Sequence, residues 1–327
     1  MRIFGKESPG MECELTEEDI EFARGLASLL GGELTRAERL GPEVLLVHLG
    51  DGRRLVAKGV ARQSWESWRP GRPWAELVAL DALGALGAPV PRLVAVDQEH
   101  GWLAMEYVPG TGIEEAALRP SPGAFASLTA ALQALEEAFA AEWQSLSPWA
   151  AASPGQPWEL AARLVPLLDA DAHGAWAEVA GEALDPSAVR PGPLDVQPDN
   201  VVWGERVALI DMASFGYDWT EKRLAAYAQR AGPRPVSLLD RRAYAHYAEA
   251  KGEQAAVRLA FFDLLYWGVA LTRLLAAMRD PGSKAAGRLR SAWGEPQALV
   301  APFASMWQRE RIADPRVERV RNGLRLS

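Results

Sequence analysis

Residues 191–216 read PGPLDVQPDNVVWGERVALIDMASFG, and the folding of this window decides the architecture of the chain around it. Two short apolar runs, NVVW at 200–203 and VALID at 207–211, flank Gly204-Glu205. Turn residues between two β-prone runs predict a small hairpin. Asp195 and Asn200 stand on the loop that leads into the first strand and Asp211 ends the second, so closing the hairpin carries all three toward one end of it. Three converging oxygen ligands suit a magnesium ion, which takes a few carboxylate or amide oxygens and completes its shell with phosphate and water. The same residue types commonly satisfy loop backbone and cap helices or turns, and the window by itself leaves both readings open.

On either side of the window the chain is helical. Alanine-rich helical segments fill about 121–185, broken at Ser147-Pro148, Ser153-Pro154-Gly155 and Pro157, and helical patterns resume from about 219 to the end. The longest is apolar and runs through FFDLLYWGVALTRLLAAM at 261–278. After Asp211 the chain is expected to pass through SFGYDW straight into a helix.

Farther out, the first hundred residues follow a different rule. Thr16 followed by Glu17, Glu18 and Asp19 is a helix start with acidic residues in its first turn, and Gly31-Gly32 is its stop. Three extended runs follow, ELTRAERL, EVLLVHL and RRLVAKGV, with Asp51-Gly52 as a hairpin signal between the last two. A polar, Trp-rich loop ends at Pro70-Gly71. PWAELVALDALGALG at 73–87 then has helical periodicity and stops at glycine, and PRLVAVD and GWLAMEYV are two more strands joined by a tight polar turn. Pro109-Gly110-Thr111-Gly112 marks a hinge. The reading is an α+β protein of two lobes: residues 1–107 as a small antiparallel five-stranded sheet with one long helix, and 108–327 as a larger, mainly α-helical lobe with the hairpin embedded in it.

Composition bounds the partners. A chain of 327 residues exceeds what one core ordinarily serves, which agrees with two lobes. Forty-three acidic against 35 basic side chains leave a formal charge of -8, which argues against a nucleic-acid backbone or an anionic lipid surface and favours small cationic or neutral partners. The single cysteine, Cys13, makes no internal disulfide and no thiolate zinc site, so a reducing cytoplasm is the expected compartment. The N-terminus has no apolar signal region. The apolar stretch at 259–275 is interrupted by Asp263 and Arg273, so no membrane span is expected. The four histidines show no metal spacing, and the 13 tryptophans are scattered without a period, as packing residues are.

Lysine is scarce, with five among the 35 cations, at 6, 58, 222, 251 and 284. Lys58 stands inside the strand LVAKGV, where an ammonium is costly unless it finds an anion. Glu76 on the following helix is spaced to pair with it, and such a pair above a cleft presents positive charge to a phosphate. An edge-strand lysine reaching water beside a solvated Glu76 is the plain alternative.

Together, Lys58, Glu76, the hinge, Asp195 with Asn200 five residues on, and Asp211 stand in the order and spacing of the protein-kinase signature set. Over roughly 33–230 the sequence resembles the aminoglycoside phosphotransferase and choline kinase branch of the protein-kinase-like superfamily. WAELVALDALGALGAPVPRLVAVDQEHGWLAMEYVPG and LDVQPDNVVWGERVALIDMASFGYDW carry the resemblance. The second is similar to that family's catalytic loop and magnesium strand, H-G-D-x-x-P-x-N followed by V-I-D.

The resemblance implies a two-lobed phosphotransferase that moves the γ-phosphate of ATP, or GTP, to a hydroxyl of a small molecule with Mg²⁺. Asp195 would be the catalytic aspartate, Asn200 and Asp211 would hold the metal, and Lys58, held by Glu76, would contact the α and β phosphates. The hinge backbone from Glu106 to Val108 would hydrogen-bond the purine. The short run from Asp211 to the next helix has no room for a protein kinase's activation segment, which favours a small acceptor. Two departures stand against the pattern: Pro193-Leu194 replaces His-Gly, and RLGPEVLLVHLGDG is glycine-poor where the family has a loop over the phosphates. They motivate the alternative of a catalytically impaired, nucleotide-binding or regulatory pseudokinase. Acceptor identity and oligomeric state do not follow from these residues.

Overall fold

The computed structural model describes residues 15–41, 43–59, 74–97, 101–110, 122–151 and 157–325. Cys13, the Pro70-Gly71 loop, the turn at 98–100, Thr111-Gly112 and Ser153-Pro154-Gly155 lie outside them. Contacts divide the chain into two compact units, one of Met1–Leu118, Ala131–Ala152 and Pro191–Gly216, the other of Arg119–Ala130, Ser153–Arg190 and Tyr217–Ser327.

The first unit is built on a five-stranded antiparallel sheet of order β1-β2-β3-β5-β4. The strands are β1 (Leu34–Gly41), β2 (Val44–Leu49), β3 (Arg54–Gly59), β4 (Leu93–Asp97) and β5 (Trp102–Glu106), each within two residues of the expected run. Gly52, at φ +87, supplies the left-handed residue that turns β2 into β3. Because successive side chains leave a strand on opposite faces, Leu55, Ala57, Trp102 and Ala104 share one face and Val56, Lys58, Leu103 and Met105 the other. Helix α1 (Glu17–Leu29) covers the first face. Ala23, Leu26 and Ala27 pack there on Leu45, Val47, Leu55 and Trp102, and Phe22 stacks on the Trp102 ring at 4.2 Å. Each large apolar side chain so buried contributes about 1.5–3 kcal/mol. Thr16 caps α1 through a reciprocal capping box with Asp19, as the sequence indicated. Helix α2 (Ala75–Ala85) is followed by Gly87 at φ +67 and carries Glu76 in its first turn.

The hairpin of the central window is present as β7 (Val201–Trp203) and β8 (Val207–Leu209). The expectation of a direct run into a helix after Asp211 is corrected. Phe215–Trp219 is a strand, β9, that pairs with β6 (Val189–Pro193), and the helix α6 (Thr220–Ala228) starts only after it. FGYDW alternates bulky aromatics with Gly and Asp, which suits a half-buried strand better than a helix start.

The second unit is helical. Its elements are the first part of α3 (Pro122–Ala141), then α4 (Pro157–Ala162), α5 (Ala170–Ala183), α6, α7 (Arg241–Lys251), α8 (Glu253–Arg279), α9 (Lys284–Trp293), α10 (Pro296–Trp307) and α11 (Pro315–Asn322). A two-residue ribbon, Gln229–Arg230 with Val236–Ser237, interrupts the expected all-helical course.

Helix α8 is long and apolar enough to cross a bilayer, but its apolar surface is spent on its neighbours, with Leu259, Phe261, Phe262, Trp267, Leu271 and Leu274 all fully buried. Asp263, the charge within it, accepts from Arg311 Nε at 2.5 Å, Trp267 Nε1 at 3.1 Å and Gln229 Nε2 at 2.8 Å. A buried carboxylate with three donors is satisfied where it is. Gly268 lets α8 approach its neighbours: a Cβ there would lie 2.5 Å from Leu164 Cδ1 and 2.7 Å from Trp307 Cζ3. Gly268→Ala is therefore expected to destabilise the chain by about 1–3 kcal/mol through overpacking, despite alanine's better helix propensity, and a denaturant melt reads it directly.

Candidate active site

The residues singled out in the sequence all fall in the first unit. Lys58 is the fifth residue of β3, 1% exposed, on the sheet face opposite α1. Its Nζ donates to Glu76 Oε2 at 2.6 Å and to Asp211 Oδ1 at 2.7 Å. Glu76 is itself 0% exposed. The edge-strand alternative therefore does not hold, because Lys58 lies on the central strand β3 and its ammonium is inside the protein between two carboxylates.

Burial alone would pull the Lys58 pKa down. The carboxylates of Glu76 and Asp211 outweigh it and push the ammonium up to about 12. Glu76 is shifted the other way for a carboxylate: burial raises it, with the negative charge of Asp211 adding and Lys58 opposing. Burial also acts to raise Asp211, but Lys58 draws it below the ordinary carboxylate value. One ammonium thus serves two carboxylates.

Asp211 sits two residues beyond β8 at φ +65, the one non-glycine residue in the left-handed region among those described. Asp tolerates that conformation better than most residues because its short side chain can bond to local backbone, and strain of this kind gathers at functional sites. The Ile210 N–H donates to the Asn200 carbonyl at 2.8 Å, which ties the strand end bearing Asp211 to the residue that opens the hairpin.

Asn200 is 4% exposed, and its Nδ2 donates to the Asp195 carbonyl at 2.9 Å. The amide nitrogen is thereby committed and the amide oxygen is the acceptor that remains. Asp195 receives Gln197 Nε2 on its Oδ1 at 2.5 Å, a partner with no counterpart in the roles read from sequence. Among the described residues no three His, Cys, Asp or Glu side chains gather as a metal cluster. One carboxylate and one amide oxygen beside a second loop aspartate suit magnesium, which keeps water and substrate phosphate in its shell, better than a cation needing a full protein cage.

Beside Asp195, where Pro193-Leu194 departs from His-Gly, the loop is held by packing and backbone. Leu194 N–H donates to the Ser214 carbonyl at 2.8 Å, and a Cβ on Gly216 would lie 3.3 Å from Leu194 Cδ1, so leucine rests directly on the glycine. Val196 is 2% exposed. This brace uses Leu194 and Gly216 together, a pairing that no single-sequence signal reveals.

Glu106 ends β5, its N–H bonded to the Arg92 carbonyl, and Val108, 7% exposed, follows two residues later. Val56, Lys58, Met105, Val108, Ile210 and Asp211 line one small cavity. A separate cavity of about 540 Å³ between α1 and the β4–β5 end of the sheet contains none of these residues. At the other end of the site Gly41 pairs with Val44, so β1 and β2 are joined by a connection of two residues in place of a long glycine loop.

A family model described as "Phosphotransferase enzyme family" matches residues 36–262. Among solved structures, a choline kinase from Streptococcus pneumoniae is 15% identical with a TM-score of 0.51, covering 89% of this chain and 100% of its own. An aminoglycoside phosphotransferase from Alicyclobacillus acidocaldarius is 15% identical with a TM-score of 0.50, covering 93% of this chain and 98% of its own. The GDP complex of an aminoglycoside 2'-phosphotransferase-IIIa is 13% identical with a TM-score of 0.50, covering 89% and 99%. At such identities the likeness is one of fold. No curated protein matches the chain in sequence.

Proposed function

Because the chain belongs to the phosphotransferase enzyme family, we propose that it transfers the γ-phosphate of ATP to a hydroxyl of a small molecule, with Asp195 as catalytic aspartate. The observation that carries this reading is the buried triad of Lys58, Glu76 and Asp211, closed by bonds of 2.6 and 2.7 Å. A structural core has little use for one ammonium between two carboxylates, since apolar side chains of similar volume do as well or better.

In the proposed roles residues 1–107 grip the nucleotide and 108–327 supply Asp195 and choose the acceptor. The backbone of Glu106 and Val108 holds the purine, and Lys58, oriented by Glu76, meets the α and β phosphates. Asn200 and Asp211 hold Mg²⁺, which when bound neutralises charge on the phosphates. Asp195 orients the acceptor hydroxyl and takes its proton. Phosphoryl transfer asks mainly for placement and charge, which these few groups supply. The charge of -8 favours a cationic or neutral acceptor, and the single cysteine a cytoplasmic setting.

Mg-ATP at a hundred times its dissociation constant is expected to stabilise the chain by about 2.7 kcal/mol, and a screen of aminoglycosides and hydroxylated metabolites for acceptor-dependent ADP release should find a substrate. A chain that neither binds nor turns over ATP or GTP with magnesium is not this enzyme. The two-residue β1–β2 connection favours a second reading, in which nucleotide is bound but not transferred. Slow ATP hydrolysis that Asp195→Ala abolishes excludes it.

A further inference from the structure

The turn of the hairpin, Trp203 to Arg206, reaches the strand that ends at the hinge. A Cβ on Gly204 would lie 2.3 Å from the Pro109 carbonyl oxygen, and a Cβ on Gly110 would lie 2.4 Å from the Trp203 carbonyl oxygen and 2.6 Å from Val202 Cγ1. Neither glycine is in the left-handed region, so what each supplies is close approach of two backbones. Beside this contact Arg206 Nη2 donates to Glu106 Oε1 at 3.1 Å. A third tie lies at the opposite strand of the hairpin, where Leu209 N–H donates to the Pro89 carbonyl at 2.8 Å.

The glycine contact and the Arg206–Glu106 pair join two segments with different tasks under the reading above, on which this inference rests: Glu106–Val108 at the purine and the hairpin of Asn200 and Asp211 at the metal. We propose that the turn is a clamp that fixes the spacing between the purine end and the metal end of a bound nucleoside triphosphate, with Gly204 and Arg206 as positioning residues. A ligand that spans both ends senses their spacing, whereas a nucleoside that touches only the hinge does not. Displacements of about 1 Å are enough to weaken binding and transfer measurably.

Arg206 is 58% exposed in its side chain, so its ion pair adds little to folding and its removal leaves the melting temperature essentially unchanged. The test measures dissociation constants of Mg-ATP and of adenosine for the native chain, Arg206→Ala, Arg206→Lys and Gly204→Ala, with a thermal melt of each. Arg206→Ala is expected to weaken Mg-ATP about fivefold, with adenosine unchanged and Arg206→Lys recovering most of the loss. Gly204→Ala, which forces the two backbones apart, should weaken Mg-ATP about tenfold or more with adenosine again retained. Native Mg-ATP affinity in both Arg206→Ala and Gly204→Ala overturns the clamp and leaves the phosphotransferase reading standing. Equal weakening of adenosine and Mg-ATP also overturns it, because the turn would then only support the hinge. A native chain that binds neither ligand overturns the nucleotide reading and the clamp with it.

Discussion

Lys58→Met is expected to lower the stability of the ligand-free chain by about 3–5 kcal/mol and to cut phosphoryl transfer by about 10²–10³-fold. The stability loss follows from what the substitution leaves behind. Methionine fills the volume but offers no charge, so Glu76 and Asp211 remain as two carboxylates in a site from which water is largely excluded. Removing one partner of a buried charge set costs more than the set contributes, because the desolvation of the others is no longer offset.

The pH dependence carries the sign of this explanation. In the native chain Asp211 has a folded pKa below its ordinary value of 3.8, so its contribution is present above that value and lost as the pH falls through the lower one. In Lys58→Met the ammonium that lowers both carboxyls is gone and the burial that raises them remains, so what they contribute is expected to be present in acid and lost as the pH rises. The deficit of the variant is therefore smallest below about pH 4 and widens toward neutrality. Adding Glu76→Gln and Asp211→Asn to Lys58→Met should restore most of the stability and none of the activity. Melting curves of the three chains between pH 4 and 8 check both points. A Lys58→Met chain that melts with the native protein across that range sinks the account.

Asp195→Ala carries the largest expected loss on the catalytic side, about 10²–10⁴-fold in kcat, with the affinity for Mg-ATP kept within about twofold. The separation is expected from the geometry. Asp195 contributes its backbone carbonyl to Asn200, a bond alanine retains, and its side chain touches only Gln197 among the hydrogen bonds described for it. Removing the carboxylate thus takes away the proposed proton acceptor and leaves the proposed metal ligand where it was. Isothermal titration with Mg-ATP beside steady-state kinetics with an identified acceptor distinguishes this from a folding defect. A fall in affinity as large as the fall in kcat would move Asp195 from proton acceptor to nucleotide ligand.

The sheet was legible because each strand announces itself in local chemistry. EVLLVHL and RRLVAKGV are β-branched and apolar runs separated by Asp51-Gly52, and the turn forms there with Gly52 at φ +87. The helix bearing Glu76 was legible for a similar reason, its observed ends at Ala75 and Ala85 lying within two residues of Pro73 and Gly87. The pairing of Lys58 with Glu76 could be anticipated from spacing, whereas the bond from Lys58 to Asp211 was not expected from the sequence, where Asp211 stood only as a metal ligand.

What was not legible is long-range contact without a compositional mark. Gly110 looked like freedom for a hinge, yet its lack of a side chain is needed for a neighbouring carbonyl 93 positions along the chain, at Trp203. Pro193-Leu194 looked like a lost His-Gly, whereas the Leu194 side chain packs on Gly216. The strand FGYDW does not follow from the sequence because its partner, Val189–Pro193, contains glycine and two prolines and gives no β signal of its own. In each case the information sits in the pair, and either member alone is ordinary.

The triad also bears on how the protein comes off the ribosome. Lys58 and Glu76 are synthesised early and Asp211 lies 153 residues after Lys58, so a nascent chain that has just completed the sheet holds an ammonium with one of its two carboxylates. The first unit draws on three separated stretches and is not complete until Gly216 has emerged. Helical segments of the second unit leave the exit tunnel in between, their apolar faces uncovered until α8 arrives after residue 253. Neither unit can therefore finish before the other has begun, and a chaperone that shields apolar helices during that interval should raise the yield of folded chain more than one that acts after release.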